Sequence, residues 1–223
     1  MSGLDTLLAK SLDYTIKENF GKTQLVQVEK RLLEKYGISL IQSLEDFTKL
    51  DDILREFFGE KTNSLERQYL GHIINMQDLQ VQPDWLSIED NSLARLILEV
   101  LGDEDKKNII DSVLDEPRII SEILEITKIS QTSGYRKVNS LIDAGLLIVH
   151  GTFTTPDRKV VNKYKSIFEN VKIDFAKNKV VVKVQLTKES LRQSSIIKTI
   201  GGIPDSLAIA SKHNTPKGLI PPR

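Results

Sequence analysis

The stretch ISQTSGYRKVNSLIDAGLLIVHG, Ile129 to Gly151, decides how the rest of the chain is read. Ser130 is a residue type that accepts hydrogen bonds at a helix N-terminus. Val138, Leu141 and Ile142 then recur at the spacing of one helix face. Gly145 supplies a C-terminal stop, and Leu146 opens a run with strand character. A helix over residues 131–144 follows, with an apolar side and a polar side. Gln131, Thr132, Ser133, Arg136 and Lys137 lie off the apolar stripe. Gly134 is a poor helix residue, so its presence predicts a close backbone approach, to a neighbouring helix or to a phosphate. Tyr135 stands between the two sides and is expected to be partly buried with its hydroxyl outside.

The flanks give this helix its setting. Upstream, Asp103 can cap a helix carrying Ile109, Ile110, Val113 and Leu114, which stops before Pro117. Ile119, Ile120, Ile123, Leu124 and Ile126 mark a second helix. The connection from Thr127 to Ser130 has the length of a turn that sets two helices at a steep angle. Downstream, a strand runs to Phe153, turns at Thr154–Asp157 and returns from Lys159 to Phe168. Three helices followed by a β-hairpin is the order of a winged helix-turn-helix. In that arrangement the polar side of the third helix faces a duplex. Glutamine suits adenine edges, arginine suits guanine, and serine or threonine suits bases or phosphate. The wing, residues 154–165, carries Arg158, Lys159, Lys163 and Lys165. From Lys128 to Phe168 there are seven basic and two acidic residues, a net of +5. That is an electrostatic footprint for phosphates. The candidate duplex contacts are therefore Ser130, Gln131, Thr132, Ser133, Tyr135, Arg136, Lys137, Arg158, Lys159 and Lys163.

Further out the texture changes. Val171–Phe175 and Val180–Leu186 read as a second hairpin around Ala176–Lys179. Residues 188–223 have weak periodicity and late prolines, and are expected to form a partly mobile tail, with local structure over Ser194 to Ala210 and mobility in the last dozen residues. At the other end, Leu4, Leu7, Leu8, Leu12 and Ile16 form a helical stripe. Helices from Thr23 to Tyr36, from Phe47 to Phe58 and from about Thr62 follow, with glycine stops at Gly21, Gly37 and Gly59. The expected organisation is a helical bundle over 1–77, a linker over 78–91 broken by Pro83, and a winged-helix domain over 92–187. Within the last, Leu93, Leu96, Ile97, Val100 and Leu101 could supply a dimer seam or pack on their own domain. The fold class is mainly α with a β-hairpin wing.

Length and composition bound the function. The 223 residues are 39% hydrophobic and 28% charged, as in a soluble globular protein. There is no cysteine, which excludes disulfides, thiolate catalysis and cysteine-held zinc and permits a reducing cytosol. The opening MSGLDTLLAKSLDYTIKENF lacks the basic start and apolar run of a secretory leader. No apolar run approaches the roughly 20 residues of a membrane span. A cytoplasmic protein without a membrane contact is expected. Net charge is zero but divided: residues 1–103 hold 11 Lys+Arg against 18 Asp+Glu, and residues 104–223 hold 20 against 13. The basic half is the one fitted to a polyanion.

Enzyme chemistry finds no foothold. His72, His150 and His213 are scattered, with none in an i, i+4 metal pair. Asp51 and Asp52 are adjacent on a helix and point apart. Gly201–Gly202–Ile203–Pro204 lacks the strand, helix and lysine of a phosphate loop. Trp85 reads as a packing anchor between domains. No catalytic residue, cofactor or metal is expected.

The run from Gly102 to Phe168 resembles archaeal winged-helix transcriptional regulators of the ArsR-like type. The matching features are GDEDKKNII, ISEILEITKIS, YRKVNSLIDAGLL and the closing KYKSIF. The resemblance implies sequence-specific duplex binding through the third helix and wing by a dimer. It implies recognition-helix roles for Gln131, Thr132, Ser133, Tyr135, Arg136 and Lys137, and wing roles for Arg158 and Lys159. Metal sensing is not implied, because the cysteine ligands are missing. Residues 1 to about 70 resemble a helical module of ammonia-oxidising archaea, the Nitrosopumilus output domain (number five), through LLEKYGISL and FTKLDDILREFFG. That likeness implies coupling to signalling or to a protein partner for the bundle, not a reaction. A winged-helix protein-interaction module without sequence-specific DNA binding is the alternative.

Overall fold

Ser2 starts the first helix: its hydroxyl accepts from the Asp5 amide at 3.4 Å. The computed structural model describes residues 2–201 apart from 83, 177 and 178. Helix α1 (Gly3–Asn19) buries Leu4, Leu8 and Leu12 on one face. Helix α2 (Lys22–Tyr36) ends where Gly37 turns left-handed at φ 68°. A short helix α3 (Leu40–Glu45), closed by a Ser39–Gln42 capping box, precedes α4 (Phe47–Phe58). Gly59, at φ 55°, breaks the chain before a 3-10 turn and α5 (Thr62–Gly71). The stops read at Gly37 and Gly59 fall at helix C-caps, whereas Phe20 is the C-cap of α1 and Gly21 is the N-cap of α2; α3 is an addition.

The segment 78–91 differs from the expected linker. It folds as a helical turn α6 (Asp78–Val81) and a strand β1 (Trp85–Ile88). β1 is tied on one side to Ile74 through an isolated bridge and the bonds Asn75 N–H to Ser87 O and Glu89 N–H to Ile73 O. On the other side it pairs antiparallel with a strand about one hundred positions later, Trp85 opposite Gln185. Trp85 is therefore part of a sheet, where the Lys172 ammonium lies 4.3 Å from its ring centroid.

Helix α7 (Asn91–Gly102) is capped by Asp90, whose carboxylate accepts from the Leu93 amide at 2.7 Å. Leu93, Ile97 and Val100 are buried, and Leu96, Leu98 and Leu101 pack on the same core. The apolar face considered for a dimer seam is used internally. Next come α8 (Glu104–Asp111), a two-residue strand β2 (Arg118–Ile119), α9 (Ile120–Thr127) and α10 (Gln131–Asp143). The strands β3 (Leu147–Thr154) and β4 (Val160–Ser166) form the first hairpin, and β5 (Phe168–Ala176) and β6 (Lys179–Leu186) the second. They make two antiparallel three-stranded sheets, ordered β2-β4-β3 and β1-β6-β5. The architecture is mainly α with these two small sheets. Among the described residues no helix is long and apolar enough to cross a membrane.

Residues 188–201, the start of the expected tail, are two helices: α11 (Lys188–Gln193), which the sequence did not suggest, and α12 (Ser195–Gly201), which lies within the stretch 194–210 expected to hold local structure. Ile196, Ile197 and Ile200 are buried, and α12 packs on α4 and α5. The expectations for His213 and for Gly202 to Pro204 lie outside the described residues. The N-terminus of α12 is capped from far away. The buried Asp5 carboxylate accepts from the Ser195 amide and hydroxyl, both at 2.7 Å, from the Ile196 amide at 3.4 Å, and from the Ser194 hydroxyl. Charge-assisted bonds to helix N–H groups are the strong kind, and a carboxylate there also meets the positive end of the dipole.

The helical bundle and the later domain share one continuous core. The junction is a glycine pair. Gly145, left-handed at φ 74°, has no room for a side chain: a Cβ would lie 2.3 Å from the Gly3 carbonyl oxygen and 2.7 Å from the Leu7 amide nitrogen. A Cβ on Gly3 would lie 2.3 Å from Ile148 Cγ2 and 2.7 Å from the Gly145 carbonyl oxygen. The start of α1 is seated in the corner where α10 turns into β3.

Candidate nucleic-acid interface

The inward side of α10 is fixed first. Val138 and Leu141 are fully buried, and Ile142 packs on the core. Gly134 is buried against α9, where a Cβ would lie 2.2 Å from Leu124 Cδ2. The close approach predicted at this glycine is to the preceding helix. Between α9 and α10 the chain turns on Lys128, a non-glycine residue held left-handed at φ 57°. Ser130 occupies the N-cap position, though its hydroxyl makes no cap bond. The helix body ends at Asp143, one residue inside the expected end, with Ala144 as the C-cap and Gly145 following at φ 74°.

The outward side follows from the same geometry. Gln131, Thr132, Tyr135 and Arg136 are exposed, and they fall at i, i+1, i+4 and i+5 on one face. Ser133 is half-buried beside them. Tyr135 is 46% exposed and lines a cleft of about 280 Å³ with Ile119, Ser121, Asn162 and Tyr164. It thus faces the same cleft as Asn162 and Tyr164 of the first hairpin, while its hydroxyl has no hydrogen-bond partner among the described residues.

Lys137 does not belong to this surface. Its ammonium donates to both oxygens of Asp103, at 2.6 and 2.7 Å, and lies 3.2 Å from Asp105. The pairing with Asp103 raises the lysine pKa and holds the Asp103 carboxyl below the usual range. Asp103 also caps α8, accepting from the Lys106 amide at 3.2 Å. Lys137 thus fastens α10 to the start of α8, and its expected role as a recognition-helix contact to the duplex is withdrawn. Summing charges along the chain missed this because the neutralising residues stand 34 positions upstream.

The wing is held by two devices. β2 pairs with β4, Arg118 opposite Tyr164 and Ile119 opposite Lys163, which ties the hairpin to the start of α9. Arg118 also donates from Nε to the Ser112 carbonyl at 2.9 Å. The turn is closed by Thr155 N–H to Lys159 O and Arg158 N–H to Thr155 O, both 2.8 Å. Arg158 adopts φ 64° at its tip and is exposed. Lys159 pairs with Asp157 at 3.0 Å in full solvent. The Thr155 hydroxyl, then the lysine, lower the Asp157 pKa. An exposed pair of this kind is weak and gives way readily to a stronger anion. Lys163 is half-buried, with its ammonium 5.8 Å from the Phe153 ring centroid.

Of the seven cations counted in this unit, Lys128, Arg136, Arg158, Lys163 and Lys165 have no acidic partner among the described residues. Sequence reasoning missed β2 and the cleft side chains Ser121, Asn162 and Tyr164. A two-residue strand inside an isoleucine-rich run carries no periodicity of its own. Comparisons of the chain with protein-family models, with curated proteins and with solved structures give no match, so the functional reading rests on this geometry and its chemistry.

Proposed function

We propose that this protein is a cytoplasmic, DNA-binding transcriptional regulator of the winged helix-turn-helix kind. The observation that carries it is the outward face of α10. Gln131, Thr132, Tyr135 and Arg136 stand free on one side of a helix whose other side is locked into the core. Five cations without acidic partners belong to the same unit. The order α8, β2, α9, α10, β3, β4 supports the reading, since it is the order of a winged helix. In this reading α10 enters the major groove by its N-terminal half. Gln131 and Arg136 read base edges, Thr132 contacts a base or phosphate, and the turn at Arg158 and Lys159 meets the backbone or minor groove.

The test uses the full chain, because the core is continuous. Selection from random duplexes supplies a bound sequence, and titrations at several salt concentrations follow. Arg136→Ala should weaken specific binding by about 1–3 kcal/mol and relax preference at one position. Arg158→Ala should weaken all duplexes alike and lower the salt slope by about 1. Lys137→Ala should leave both affinity and slope unchanged. Absence of salt-dependent duplex affinity in the wild-type chain would remove the proposal. The second reading is a protein-interaction module. It is favoured by the apolar side chains exposed on the wing strands, Val149 at 51%, Phe153 at 39% and Val160 at 67%. Under that reading Val160→Asp would abolish partner capture while duplex selection returns nothing.

A further inference from the structure

The sheet β1-β6-β5 is closed at one edge and open at the other. Its β1 edge is covered by the backbone around Ile74. Its β5 edge has no neighbour strand among the described residues, and every residue from Lys172 to Phe175 is exposed. An open edge presents unpaired N–H and C=O groups to any matching strand. The register places Val171 opposite Val184, Ile173 opposite Val182 and Phe175 opposite Val180. Residues opposite one another share a face. One apolar face therefore runs from the core at Val184 and Val182, both buried, out to Ile173 at 40% and Phe175 at 83% exposure. The other face carries Lys172 and Asp174. Lys172 stands directly opposite Lys183, a like-charge pair that disfavours the strand pairing. The Asp174 carboxylate has no hydrogen-bond or ionic partner among the described residues, while its backbone lies in the ladder opposite Val181.

We infer that β5 pairs antiparallel with β5 of a second copy of this chain, joining two three-stranded sheets into one of six strands. The charges on the edge select both the partner and the register. Antiparallel strands related by a twofold axis keep their faces only when a residue lies opposite its own copy. Centring on Lys172 would oppose two lysines, and centring on Asp174 would oppose two carboxylates. Centring on Ile173 puts Lys172 of each copy opposite Asp174 of the other. It also sets Val171 against Phe175 twice and Ile173 against itself. That register brings a carboxylate to a lysine that faces Lys183 and whose ammonium, over the Trp85 ring in the single chain, turns to the open edge to meet it, and it joins the exposed apolar side chains into one band. Pairing by β5 does not depend on the duplex reading. It occupies neither α10 nor the turn at Arg158.

The test is the mass of the DNA-free full chain in solution. The wild type should have twice the chain mass. Asp174→Lys should be monomeric. The double variant Lys172→Asp with Asp174→Lys should return to a dimer, because the pair is only exchanged. A circular-dichroism spectrum and melting curve establish that each variant is folded. Thiol crosslinking in the otherwise native chain gives an independent reading, since the sequence has no cysteine. Opposed Cα atoms in such a ladder are about 4.5–5.5 Å apart, within disulfide reach of about 4.4–6.8 Å. Ile173→Cys should crosslink to itself under mild oxidation. Val171→Cys and Phe175→Cys should each fail alone and crosslink when mixed. A wild type that stays monomeric at the highest soluble concentration would overturn the inference. So would a dimer that persists in Asp174→Lys, a double variant that stays monomeric, or a Phe175→Cys that crosslinks to itself.

Discussion

Replacing Gly145 with alanine places one carbon between the start of α1 and the corner where α10 becomes β3. The residue sits at φ 74°, and holding an L-residue in that region costs about 1–2 kcal/mol. The added Cβ would lie 2.3 Å from the Gly3 carbonyl oxygen and 2.7 Å from the Leu7 amide nitrogen. Both are backbone atoms in the first turns of a helix, so no rotamer change relieves the contact, and α1 has to back away. Overpacking of this kind costs about 1–3 kcal/mol. The two effects together come to about 2–5 kcal/mol, a large share of the roughly 5–15 kcal/mol that holds a typical fold. Equilibrium urea unfolding reads the loss as a lower midpoint. Melting should fall by about 2–4 °C for each kcal/mol in a chain of this size. Gly3→Ala separates the contributions, because Gly3 lies in a helix outside the positive-φ region and brings crowding without that strain, offset by a helix-propensity gain of up to about 1 kcal/mol. Once α1 has moved for one substitution, the second meets less resistance. The double variant should fall short of additivity by about 1 kcal/mol or more. A Gly145→Ala variant within about 0.5 kcal/mol of wild type, or strict additivity of the pair, would refute the shared contact.

Two other perturbations test the bundle. Glu66 is almost wholly buried, and burial, with the Asp51 carboxylate adding to it, pushes its pKa up to about 8. Its unfolded value is about 4.3, so the folded state holds this proton more tightly, and the stability it contributes is lost as pH rises from there to about 8. Glu66→Gln removes that slope and should gain on the wild type by on the order of 2–4 kcal/mol between pH 5 and pH 8; a constant difference between the two unfolding curves would contradict it. Asp5→Ala strands the Ser195 and Ile196 amides and should cost about 3–5 kcal/mol, with hydrogen exchange accelerated at those two amides before the rest of α12; unchanged protection there would show that the cap carries no weight.

The helices were legible because a 3.6-residue period and a glycine stop are local signals. Leu4 to Ile16, Phe47 to Phe58 and Val138 to Gly145 each announce an element within a single window. Both hairpins were legible for the same reason, from β-branched runs around short turns. What stayed hidden depends on partners far along the chain. WLSI reads as linker beside Pro83 until Val182 and Val184 lie next to it. SIIKTIG is too short to declare a helix without Asp5 at its start. On the candidate interface, the exposed face of α10 followed from the stripe at Val138 and Leu141. The misplaced residue was Lys137, whose fate is decided by Asp103. Counting charges gives a net field, while contacts decide which charges remain to act.

The cap that Asp5 places on α12 also sets a clock. Asp5 and Ser195 are 190 positions apart. At synthesis rates of about 5–20 residues per second, roughly 10–40 s separate their production. Throughout that interval α4 and α5 lack the Ile196, Ile197 and Ile200 side chains that complete them. The bundle made first is therefore finished last, after both sheets have been made.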